Sequence, residues 1–213
     1  MTVASSTTPI PGHHPRRTPP GAPPGPLVAD PAAAAPRIAL MAYGPDAIEE
    51  RAEISLEDID ALRGAFPVLW LDITGLGDAA VIRDIGKKFG LHTLALEDVL
   101  NVHQRPKIDE YDDHLFIVCR MPHHEKRLET EQVSLFLGKG FVITMQERPG
   151  DCFDAVRNRL RSRRGRIRDS GPDYLTYTLL DAVTDAFFPI LESVGEAVTA
   201  MEEEIMADPH PND

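Results

Sequence analysis

From about residue 37 onward, apolar residues alternate between strand-length runs and helix-spaced stripes. Arg37-Ile-Ala-Leu-Met-Ala-Tyr43 and Val68-Leu-Trp-Leu-Asp-Ile73 are nearly continuous apolar runs, the pattern of strands covered on both faces. Between them, Ser55 with Asp58 three residues on predicts a helix start, and Gly64 its end. Asp78 predicts the cap of a second helix, which buries Val81, Ile82, Ile85 and Phe89 at helical spacing. Lys87 and Lys88 suit the C-terminal dipole of that helix, and Gly90 stops it. A short apolar helix with Leu94, Leu96, Val99 and Leu100 follows. Pro106 holds Arg105 away from helical angles, so this helix ends near Asn101 and Gln104-Arg105-Pro106-Lys107 becomes an extended arm. Next come a strand at Leu115–Arg120, a polar turn with His123-His124, and a hairpin. The hairpin pairs Glu131–Leu137 with Phe141–Gln146 around Gly138-Lys139-Gly140.

The last third reads as helical. Phe153–Arg168 carries apolar Phe153, Val156, Leu160 and Ile167 among seven arginines, and Asp173–Phe188 forms the next helix. Pro189 opens another that runs to about Met206, where Leu191, Val194, Val198, Met201 and Ile205 step by three and four. That spacing is a coiled-coil seam of two heptads, too short to be stable without partners. The element order predicts an α/β fold: a mixed β-sheet flanked by helices, with a C-terminal acidic helical arm.

Residues 1–36 hold ten of the nineteen prolines and the pair His13-His14, and are expected to form a disordered, Pro-rich tail. Residues 37–168 are expected to form the α/β domain, and 169–213 an acidic helical hairpin cut within a longer helical region. The net charge of −12, from 34 acidic and 22 basic residues among 213, disfavours nucleic-acid binding and is compatible with cations. The two cysteines, Cys119 and Cys152, make neither a disulfide framework nor a zinc motif and suit a reducing compartment. No run approaches the roughly 18 apolar residues of a membrane helix. Charge is lopsided: eleven acidic residues and no Lys or Arg follow from Asp169, directly after the arginine-rich helix. Internal pairing between these two segments is the simplest expectation.

The candidate chemistry is carboxylate chemistry. Glu97 and Asp98 are adjacent on a helix and point about 100° apart, so one ion between them needs a third carboxylate from elsewhere. Asp181 and Asp185, four apart, share a helix face and repel unless a cation lies there. Mg2+ takes hard oxygen ligands and keeps several waters, so one or two carboxylates suffice. No dinucleotide, P-loop, nucleophile-elbow or zincin motif occurs, so no enzyme is expected.

The Glu97-Asp98 helix joined to the Arg105-Pro106-Lys107 arm resembles the cytoplasmic domain of CorA-type magnesium and cobalt transporters. Leu71-Asp72-Ile73-Thr74, Glu131-Gln132-Val133-Ser134, Phe153 to Arg168, and Asp173-Tyr174-Leu175 through Asp181 and Asp185 fit in the same order. The resemblance implies a homopentamer on the cytoplasmic side of the cell membrane, anchored by later helices absent here. It implies regulatory Mg2+, or Co2+, between neighbouring subunits near Glu97, Asp98 and Asp181. It leaves open a zinc-transporting relative of the same superfamily. A free-standing module or enzyme around His92, His103 and Glu97 is the reading from another class.

Overall fold

A computed structural model describes residues 27–124 and 128–207. Its centre is a seven-stranded mixed sheet, among the described residues, in the order β2-β1-β3-β7-β6-β5-β4. The strands are β1 (Arg37–Tyr43), β2 (Ile48–Arg51), β3 (Val68–Thr74), β4 (Lys107–Glu110), β5 (His114–His124), β6 (Leu128–Gly138) and β7 (Phe141–Gln146). The central pair β3 and β7 is parallel, and every other pair is antiparallel. Of the two central strands, β7 is buried along its whole length and β3 at all but two positions, as covering on both faces requires. The edge strands β2 and β4 are four residues long and charged, Ile-Glu-Glu-Arg and Lys-Ile-Asp-Glu, which blunts edge-to-edge pairing.

Alternation along the strands feeds two cores. On one face Leu40, Leu71, Phe116, Phe136 and Ile143 pack under α1 (Leu56–Leu62), α2 (Ala79–Phe89) and α3 (Thr93–Leu100). On the other, Met41, Trp70, Ile117, Leu135 and Val142 pack under α4 (Asp154–Arg161) and α5 (Pro172–Asp185). The final helix, α6 (Phe188–Ala207), projects, and Leu191, Val194, Val198, Met201 and Ile205 are all exposed along the expected seam.

The caps follow the sequence. The Asp78 side chain accepts from Ala80 N and Val81 N, and Gly90 closes α2 in the left-handed conformation at φ 67°. α3 lies close on α2 because Gly86 has no side chain. A Cβ there would come within 2.3 Å of Leu96 Cδ1.

Several expectations need correction. The arginine-rich segment is a shorter helix: α4 ends at Arg161, Arg163 takes φ 50°, and only a 3-10 turn at Ile167–Asp169 follows. α5 is packed into the second core through Leu175, Leu179 and Val183, so α6 alone forms the arm. His123-His124 ends a strand paired with Leu128 and Glu129, not a turn. β2 and β4 were outside the expected element order. Residues 1–26, with His13-His14, lie outside the described residues. Residues 27–36, assigned to the tail, run without helix or strand along the β3–α2 connection, where Gly77 N donates to Ala34 O at 2.8 Å.

Candidate metal-binding carboxylates

α3 is held at both ends. His92 is its N-cap, with Nδ1 accepting from Leu94 N at 3.2 Å. The His92 ring stacks on Tyr111 with centroids 4.5 Å apart, and Tyr111 stacks on His114 at 5.0 Å. This histidine therefore caps and braces the start of α3. At the C-terminal end, buried Gln132 of β6 ties three segments together. Its Nε2 donates to the Asp98 carbonyl at 2.9 Å and to Ser134 Oγ at 3.1 Å, and its Oε1 accepts from Gln104 N at 2.9 Å. Leu96, Val99 and Leu100 face the core, which turns Glu97 and Asp98 to the partly exposed side.

Asp98 already has a cation partner within the chain. Lys107 Nζ lies 2.6 Å from Asp98 Oδ2 and 2.6 Å from Asp109 Oδ2, and stands over the Phe116 ring at 5.6 Å. Burial alone disfavours the ammonium, but the hydrogen bonds to Asp109 and Asp98 and the charges of both outweigh it and raise its pKa. The sequence marks Lys107 as part of the arm but not as the partner of Asp98, and Asp109 does not stand out in it. The arm ending in Pro106 points Lys107 back at the helix, and β-strand alternation puts Asp109 beside it.

Asp181 and Asp185 are exposed one turn apart on α5, and neither makes an ion pair among the described residues. They line a cleft of ≈ 310 Å³ between α4 and α5 with Arg159 and Cys152. Of the expected pairing of arginines with this acidic segment, the described residues show one ion pair, Arg163 with Asp169 at 3.8 Å, and none to Asp181 or Asp185. Arg157 binds Asp72, Asp151 and Asp154, Arg161 binds Glu50, and Arg159 reaches Tyr174 Oη at 3.4 Å. The α3 carboxylates and Asp181 are attached to opposite faces of the sheet. Accordingly, no group of three metal-ligating side chains converges among the described residues.

Two further polar clusters brace the fold. Asp72, on β3, accepts from Thr144 Oγ1 at 2.7 Å and from Arg157, which also holds Asp151 at 2.6 Å. Burial, and then the Asp151 charge, raise the Asp72 carboxyl above the usual range. Burial pushes Asp151 up too, but the hydrogen bonds and charge of Arg157 prevail and lower it. At the far end of β5, His123 Nε2 lies 2.6 Å from Glu131 Oε1, whose other oxygen accepts from Arg148 N at 3.1 Å.

A family model described as CorA-like Mg2+ transporter protein matches residues 67–213. The chain belongs to this family. It is 41% identical over 175 residues to the cobalt/magnesium transport protein CorA of Thermotoga maritima, covering 81% of this chain and 50% of that protein. It is 29% identical over 150 residues to the magnesium transporter ALR1 of Saccharomyces cerevisiae, covering 68% of this chain and 17% of that one. The chain thus spans half the length of the Thermotoga protein and less of the yeast one. Among solved structures, the soluble domain of CorA from Methanocaldococcus jannaschii aligns with TM-score 0.62 at 18% identity, covering 82% of this chain and 66% of that one. The ZntB cytoplasmic domain from Vibrio parahaemolyticus aligns with TM-score 0.60 at 13% identity, covering 77% and 64%. At such identities these two establish the fold alone. The mixed sheet with helices on both faces is the CorA soluble-domain fold, and among the described residues no helix is long and apolar enough to cross a membrane.

Proposed function

We propose that this chain is the cytoplasmic, divalent-cation-sensing portion of a Mg2+/Co2+ transport protein. Mg2+ bound between subunits holds the assembly closed, and loss of the ion releases it. The observation that carries this reading is the separation of the carboxylates. Glu97 and Asp98 stand on the helix layer of one sheet face, and Asp181 and Asp185 on that of the other. An ion that uses both sets must therefore join two copies. In the intact protein these copies form a homopentamer on the cytoplasmic side of the membrane.

Family membership and the identity to a cobalt/magnesium transport protein support Mg2+ and Co2+ as the ions. Hard carboxylate oxygens with room for retained water suit both regulatory Mg2+ and its exchange. The unpaired acidic groups of α5 and α6 supply repulsion when the ion leaves, so ion binding shifts a two-state equilibrium by its differential affinity.

Sedimentation velocity in Mg2+ and in Na+ at matched ionic strength tests the reading. The chain should sediment faster in Mg2+, and Asp98→Ala and Asp181→Ala should each abolish the difference. Identical behaviour in the two salts, or association that both variants retain, would sink it.

A further inference from the structure

We propose that Lys107 is a tethered competitor of the divalent cation at Asp98 and sets the ion concentration at which the site fills. This rests on the reading of Asp98 as a divalent ligand and adds the residue that regulates it. The ammonium stands midway between two carboxylates, 2.6 Å from Asp98 Oδ2 and 2.6 Å from Asp109 Oδ2. That is where a bound cation would gain most from both. The position is built from several directions. Pro106 stiffens the arm before Lys107, and pairing of Lys107 with Val118 and of Ile108 with Ile117 locks β4 in register. The Phe116 ring beneath the ammonium adds a cation–π contact, and Gln132 anchors the Asp98 backbone.

The Lys107 side chain is 32% exposed, so it can swing out to solvent without opening the core. With Lys107 in place, Asp98, Asp109 and the ammonium sum to one negative charge, which holds a divalent ion poorly. With Lys107 displaced, the two carboxylates present two charges, matched to Mg2+ or Co2+. Lysine suits this exchange because it is a compact point charge on a flexible stem. When the ion leaves, the ammonium returns and keeps Asp98 and Asp109 from repelling each other, so α3 stays seated while the contact between copies is lost. Displacing a partly exposed pair is easy, so the expected penalty on affinity is about five- to tenfold.

Calorimetric titration of Mg2+ into wild type, Lys107→Met, Lys107→Arg and Asp98→Ala at matched ionic strength decides the matter, with melting temperature as a second readout. Lys107→Met is expected to bind Mg2+ about five- to tenfold more tightly than wild type. Lys107→Arg keeps the competing charge and should bind Mg2+ no more tightly than wild type. Asp98→Ala should abolish binding. Should Lys107→Met bind no more tightly than wild type, whether or not it melts lower, while Asp98→Ala still abolishes binding, Lys107 is only a tie between α3 and β4. The competitor role is then overturned and the divalent site stands. Binding that Asp98→Ala leaves intact overturns the divalent reading of Asp98, and the competitor role with it. No Asp98-dependent binding even in Lys107→Met means Lys107 guards no divalent site, which also overturns the inference.

Discussion

Replacing Arg157 by Met is expected to destabilise the fold by about 3–5 kcal/mol, the usual cost of stranding one side of a buried ion pair. For a domain of this size that is a fall in melting temperature of roughly 10 °C or more. Arg157 is the only cation on Asp72 and Asp151 among the described ion pairs, and their side chains are 11% and 7% exposed. It also lies over Trp70 at 5.3 Å, so its loss is felt in the second core. The effect should depend on pH. Without Arg157, burial and mutual repulsion both raise the two carboxyls above their unfolded values. A carboxyl raised in the folded state contributes fully below its unfolded pKa and costs stability as pH rises through its folded pKa. The variant should therefore be weakest near neutrality and recover toward wild type on acidification to about pH 4. Urea unfolding of both proteins at several pH values measures this. A penalty under about 1 kcal/mol at neutral pH would mean that the cluster is no more than a surface pair.

Gln132→Ala should have the next largest effect, about 2–4 kcal/mol, because it strands partly buried backbone partners and leaves a cavity. The side chain is 1% exposed and is the joint between β6, the end of α3 and the arm. The loss should be concentrated there. Hydrogen exchange in α3 and at Gln104 should accelerate more than exchange in β3 and β7, which report global opening. Uniform acceleration throughout the sheet would show that Gln132 supports the fold without specifically seating Asp98.

How far the sequence reveals this molecule depends on the range of the interaction. α2 was readable at both ends because Asp78 and Gly90 act within their own turns. The central strands were readable because burial on both faces leaves continuous apolar runs. β2 and β4 were not, since a four-residue charged edge strand carries no period of its own and is defined by its neighbour. The arginine segment misled because its apolar spacing continues past a break at Arg163, where a left-handed backbone ends α4. Gly165, two residues on, was the available warning. Candidate ligands Glu97, Asp98 and Asp181 were visible as carboxylates on helices, but their electrostatic state was not. Asp98 depends on Lys107 across a helix end, and Asp72 on Arg157 across 85 residues. No spacing rule reports such pairs. The proposed ligand set, divided between two copies, would leave still less of a trace in one chain.

The most direct measurement is a thermal melt of the chain against Mg2+, with Na+ at matched ionic strength, for wild type, Asp98→Ala and Asp181→Ala. With Mg2+ at ten times its dissociation constant, linkage supplies about 1.4 kcal/mol. That is a rise of roughly 3–5 °C for a domain of this size. The expected result is that rise in wild type, specific to the divalent ion and absent from both variants. A melt insensitive to Mg2+, or a rise that both variants keep, would contradict divalent sensing through these carboxylates.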